Sequence, residues 1–183
     1  VPSANLIPLF LREGARRFIF EGRECGGHIG PLSSFVLWST MVDRLLSELP
    51  ASKVPADALE LIFAGGIHDA VSSAMLQVMV APLAALGVKV GILMGSAYLF
   101  TREIVASGAV VPQFQQEAID CERTVNLESG PGHASRCAFT PFAAEFFRTR
   151  LEHRSRKVPA DDSRRRPRHR GHRRQRRNPE TEW

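Results

Sequence analysis

Apolar residues along this chain come in two alternating rhythms. Short, nearly continuous runs, Arg17-Phe-Ile-Phe20, Leu59-Glu-Leu-Ile-Phe-Ala64 and Val88-Lys-Val-Gly-Ile-Leu-Met94, predict strands of a sheet covered on both faces. Segments of helical period stand between them. Ser33-Ser34 predicts the cap of a helix running to about Glu48, with Phe35, Leu37, Trp38, Met41, Leu45 and Leu46 as its packing face, and the stretch from Pro50 to Pro55 ends it. Asp69 is the expected N-cap of a helix from Ala70 to Leu86, closed by Gly87 in left-handed backbone. Leu6 to Leu11 reads as a short helical segment ending near Gly14, and a further helix is expected from near Thr101.

Strand, glycine tip and helix, repeated three times, is the signature of β/α units in a parallel sheet. Beyond Ala109 the pattern decays: Gln113 to Ala118 reads as helical, Arg123 to Leu127 as a short extended run before Gly130-Pro-Gly132, and Pro141 to about Leu151 as a last helix. Three parallel strands neither close a barrel nor make a comfortable open sheet, because an edge stays unpaired. The chain is therefore expected to be the C-terminal part of a larger α/β domain.

Charge divides the 183 residues unevenly. Residues 1–147 carry 10 basic and 14 acidic side chains, whereas residues 148–183 carry 14 and 5, so the overall +5 describes the tail rather than the folded part. The run from Arg164 to Arg177 cannot form a core and is expected to be disordered. Domain organisation is thus read as 1–150 folded and 151–183 a basic tail. Clustered arginines suit phosphates, but no aromatic residues interleave them, so specific nucleic-acid binding is not expected. The longest uncharged stretch, Ala70 to Gly87, includes Ser72, Ser73, Gln77 and Pro82 and is read as a helix with its terminus, not a membrane span. No secretory signal is visible, and three cysteines without close pairing favour a reducing, cytoplasmic setting.

The chemistry is expected at the strand tips. Gly26-Gly27 lie in the loop after the first strand, Ala64-Gly65-Gly66 end the second, and Gly95-Ser96 end the third. Glycine lets backbone amides approach an anion closely, and tips on adjacent strands would form one phosphate-binding rim; plain turns are the alternative. His28 is the candidate for proton transfer near neutrality, or else an exposed or structural ring. Glu21 and Glu24 flank the same loop, and Cys25 has no basic neighbour to activate it. His68 and His133 are read as loop residues contacting solvent or backbone, and Tyr98 and Phe100 as packing behind the rim. No second histidine or carboxylate sits at ligand spacing, so no metal site is expected.

Three motifs in order, Glu21-Gly-x-x-x-Gly-Gly-His28-x-Gly30, Ala64-Gly-Gly-Ile67 with Asp69, and Val90-Gly-Ile-Leu-Met-Gly-Ser96 with Phe100-Thr-Arg-Glu103, resemble the nitronate monooxygenase (2-nitropropane dioxygenase) family. That family includes the FMN-dependent enoyl-acyl-carrier-protein reductases. The likeness continues through Thr124-Val-x-Leu127 and Gly130-x-Gly132 to Pro141-Phe142. It implies an FMN-binding (β/α)8 barrel in which these units are strands six to eight of the C-terminal portion. By the same resemblance Ala64, Gly65, Gly66, Gly95 and Ser96 match positions at the FMN phosphate, Gly26 and Gly27 the loop at the flavin, and His28 the active-site histidine. The implied reaction is oxidation of an alkyl nitronate with O2, or alternatively reduction of a carrier-bound enoyl thioester with NAD(P)H as electron donor. Cys25, where alanine or serine is common, and the run Pro31-x-Ser-Ser-Phe-Val-Leu-Trp38 look more like the related domains of polyketide and polyunsaturated fatty acid synthases. A non-catalytic nucleic-acid binder driven by the arginine tail is the third reading.

Overall fold

The computed structural model describes residues 3–157. At its centre lies a parallel sheet of β1 (Arg17–Glu21), β3 (Glu60–Ala64) and β4 (Lys89–Leu93), ordered β1-β3-β4. It belongs to the first of two compact units, Val1–Arg148; the second is Thr149–Trp183. Helix α2 (Ser34–Ser52) connects β1 to β3, and α3 (Ala70–Ala85) connects β3 to β4, while α1 (Ile7–Arg12) precedes the sheet. All three expected strands form, with the two glycine-ended ones side by side.

Alternation along the strands decides what each face does. Phe18, Phe20, Leu61 and Phe63 point to one side and are buried with Leu37, Trp38, Met41 and Leu45 of α2 and Leu76, Val80 and Leu83 of α3. Phe63 is the hub: its ring meets Phe20 edge-on at 5.2 Å and Trp38 at 6.2 Å. The indole Nε1 of Trp38 donates to the Phe20 carbonyl at 3.4 Å, so the ring's polar atom is satisfied inside the core. On the opposite face the register rows are Arg17–Glu60–Lys89, Ile19–Ile62–Gly91 and Glu21–Ala64–Leu93. Glu60 pairs with Arg17 at 2.8 Å and Lys89 at 3.6 Å, while Ile19 is 44% and Leu93 41% exposed. Among the described residues the sheet is covered on one side only and does not close into a barrel.

A second, antiparallel sheet consists of β2 (Gly27–Ile29), β6 (His133–Ala138) and β5 (Thr124–Gly130), in the order β2-β6-β5. Only β5 has a counterpart in the sequence reading. β6 reads His-Ala-Ser-Arg-Cys-Ala, without the branched and aromatic residues that announce a strand, and takes its conformation from pairing on both sides. Short helices α4 (Arg102–Ala106) and α5 (Pro112–Ile119) lie between β4 and β5.

Four local expectations shift. Phe35 is 58% exposed, because Ser34, Leu37, Trp38, Met41 and Leu45 define the buried stripe of α2 and Phe35 falls outside it. That helix also runs through Pro50 to Ser52. Tyr98 and Phe100 are 64% and 60% exposed rather than packed behind the rim. The last helix, α6 (Pro141–Lys157), continues past Leu151, in keeping with its Arg- and Glu-rich sequence. The basic stretch Arg164 to Arg177 lies outside the described residues, and with it the nucleic-acid reading. Within them, no helix is long and apolar enough to cross a membrane.

Replacing Phe63 with alanine should cost about 3–5 kcal/mol, read from urea unfolding midpoints. Ile19→Ala, on the half-exposed face, should cost less than about 1 kcal/mol; equal losses would mean that this face is covered in solution.

Candidate functional site

Where β1 and β3 end, helix α2 begins, and the approach is close. A Cβ built on Gly22 would lie 2.1 Å from Ser34 Oγ and 2.2 Å from Ser34 Cα; one on Gly65 would also lie 2.1 Å from Ser34 Oγ. Gly65 adopts φ +127°, a backbone that side chains disfavour. The Gly22 amide donates to the Ala64 carbonyl at 2.9 Å, extending the strand pairing into the loop. Ser34, first residue of α2 and 5% exposed, is therefore wedged between two strand tips that must both be glycine.

Glu24 completes this junction. Its carboxylate accepts the Ser34 amide at 2.6 Å and the Ser34 hydroxyl, at the positive end of α2. Burial pushes the carboxyl up, but the Ser34 hydroxyl and amide, with the Arg136 charge, outweigh it and hold Glu24 below the usual carboxylate range. Cys25 goes the other way: burial and the charges of Glu21 and Glu24 push its thiol up to about 11, so it is a neutral wall group near pH 7 and no nucleophile.

A cavity of about 570 Å³ opens above these tips. Gly26, Ala64, Gly65, Gly66, Gly95 and Ser96 all line it. So do Glu21 at the end of β1, Glu24 and Cys25 from the loop after it, His68 and Phe100, and Thr124 and Arg136 from the antiparallel sheet. Gly27 and His28 are not part of the lining. Gly27 takes φ +83° as the chain turns into β2, where His28 is exposed and pairs across the ladder with Ser135. His68 is the imidazole on the cavity wall; its Nδ1 lies 2.9 Å from the Gly66 carbonyl, a backbone contact. Arg136 was not a sequence candidate, because the strand that carries it gave no sequence signal.

Two glycines report on what the cavity is for. A Cβ on Gly26 or Gly95 would meet nothing within 4 Å, and neither residue has a left-handed backbone. Neither packing nor conformation asks for glycine there, which leaves the backbone open to close approach by a ligand. The N-terminus of α3 is not available to such a ligand. Asp69 accepts the Ser72 amide at 2.8 Å in a capping box, and the same bonds hold its carboxyl below the usual range. The loops of Gly65-Gly66 and Gly95-Ser96 line the cavity without such a cap.

No protein-family model matches the chain, and no curated protein sequence matches it. Solved structures do, two of them of the same protein. FabK from Thermotoga maritima shares 28% identity with TM-score 0.55, over 85% of this chain and 43% of its own. A single-residue mutant of the same protein shares 29% with TM-score 0.53, over 80% and 41%. The chain thus spans less than half the length of the structures it matches. These likenesses support the family resemblance drawn from the three motifs and single out no member.

Because the folded Glu24 carboxyl lies below its ordinary pKa, its contact contributes stability that is complete above the glutamate range and is lost as the pH falls through the folded value. Glu24→Gln should lower the urea midpoint at neutral pH and converge on the unsubstituted protein in acid. A gap that keeps its size at every pH would remove Glu24 from the junction.

Proposed function

We propose that this chain is the cofactor-phosphate portion of an FMN-dependent oxidoreductase of the (β/α)8 type, and that the reaction of the whole protein is reduction of an enoyl thioester with NAD(P)H. One observation carries the reading: small residues from three neighbouring parallel strand tips line a single cavity, two of them glycines that nothing in the protein requires. The likeness to FabK, an enoyl-acyl-carrier-protein reductase that uses FMN, favours enoyl reduction over nitronate oxidation.

The cavity suits such a group. Amides of Gly65-Gly66 and Gly95, with the Ser96 hydroxyl, would hold the phosphate. Gly26 would leave room for the flavin, and Cys25 adds no charge beside it. Bound FMN supplies the electron-transfer chemistry. The contribution of this chain is to place the ligand: the Ser34 wedge fixes two tips relative to each other, and Glu24 fixes the loop that carries Gly26. A role for His28 in placing and protonating the substrate rests on the family resemblance alone, since the residue stands on exposed β2 outside the cavity lining.

FMN added to the protein should lose fluorescence in a saturable titration; absence of binding would overturn the cofactor assignment. Mixed anaerobically, the loaded protein should be bleached by NAD(P)H and recoloured by a crotonyl thioester. Bleaching by an alkyl nitronate, with no response to NAD(P)H, would move the assignment to nitronate oxidation.

A further inference from the structure

Arg136 enters the cavity from β6, outside every motif that pointed to the site. Its side chain is half-buried and held at two points, both neutral. Nε donates to the Thr124 hydroxyl at 3.1 Å, and Nη1 donates to the Glu24 carbonyl. The obvious counter-ion is close at hand but committed elsewhere, since Ser34 holds the Glu24 carboxylate at the start of α2. No ion pair among the described residues involves Arg136. Arg23, also held at the second sheet, shows the contrast: it lies 3.8 Å from the Glu128 carboxylate.

A guanidinium oriented by neutral acceptors and facing a cavity, with no carboxylate at ion-pair distance and the nearby Glu24 carboxylate hydrogen-bonded to Ser34, keeps its remaining N–H donors for something from outside. We propose that Arg136 is the fixed cation of this cavity and binds a phosphate group of the ligand, with Thr124 as the residue that positions it. The inference rests on the cavity being a ligand site, as proposed above. Arginine suits the role because its planar fork matches phosphate oxygens, and two anchors already restrict its rotamers. The phosphate is that of FMN or one on a second substrate such as a nicotinamide nucleotide, and the experiment separates them.

Affinities for FMN, riboflavin, NADPH and inorganic phosphate are measured by flavin fluorescence, calorimetry and thermal shift on the unsubstituted chain and on Arg136→Gln, Arg136→Lys and Thr124→Val. If the phosphate is that of FMN, Arg136→Gln weakens FMN at least about tenfold and leaves riboflavin unchanged. Arg136→Lys then recovers part of the loss, and Thr124→Val gives a smaller one. If it belongs to the second substrate, the same ordering is seen for NADPH and not for FMN. Equal loss of FMN and riboflavin, or no loss for any phosphate-bearing probe, overturns the inference. Should neither flavin bind the unsubstituted chain while inorganic phosphate still stabilises it in an Arg136-dependent way, the flavin reading fails and the phosphate site stands.

Discussion

The geometry of the site depends on one contact, the insertion of Ser34 between Gly22 and Gly65. A parallel strand pair fixes its backbones through the ladder only as far as Glu21 and Ala64; beyond that the tips would separate into independent loops. The Ser34 hydroxyl fills the space that two methyl groups would occupy. The Glu24 carboxylate then ties the following loop to the same serine. Gly26, Ala64 and Gly65 owe their common cavity to this junction, which is built of backbone, one hydroxyl and one carboxylate and contains no large side chain.

The same junction sets the electrostatics. Two carboxylates and one guanidinium face the cavity, the carboxylates from the end of β1 and the loop after it and the guanidinium from a second sheet, far apart in sequence. Committing the carboxylate to the α2 N-terminus uses the helix charge to satisfy it, and Arg136 keeps only a carbonyl and a hydroxyl. A single serine holds the Glu24 carboxylate at the start of α2 while Arg136 lines the cavity.

Much of this was legible in the sequence, for reasons that are local. Short apolar runs followed by glycine specify strand and tip together, and Asp69 and Ser33 cap the helices as their residue types imply. The grouping of Gly65-Gly66 with Gly95-Ser96 followed from their place on neighbouring strands. What sequence did not disclose is non-local. β6 has the composition of a loop and becomes a strand by pairing between β2 and β5, which in turn moves His28 onto an exposed ladder and brings Arg136 into the cavity. The role of Glu24 was equally hidden, since nothing in its neighbourhood along the chain announces a serine ten positions later as its partner.

The half-covered sheet and the cavity are one problem rather than two. Glu21, Ala64 and Leu93 form the last register row of β1, β3 and β4, on the side away from Phe20 and Phe63, and all three also line the cavity. Directly beneath them runs the row Ile19–Ile62–Gly91, and beneath that the ion-paired row Arg17–Glu60–Lys89. Parallel sheets are stable when both faces are covered, because their strands carry apolar residues on both. A segment packing on the isoleucine row would lie directly beside Glu21 and Leu93, which wall the cavity. The tips that line the cavity are thus fixed within this chain, on the same face of the sheet as the half-exposed Ile19.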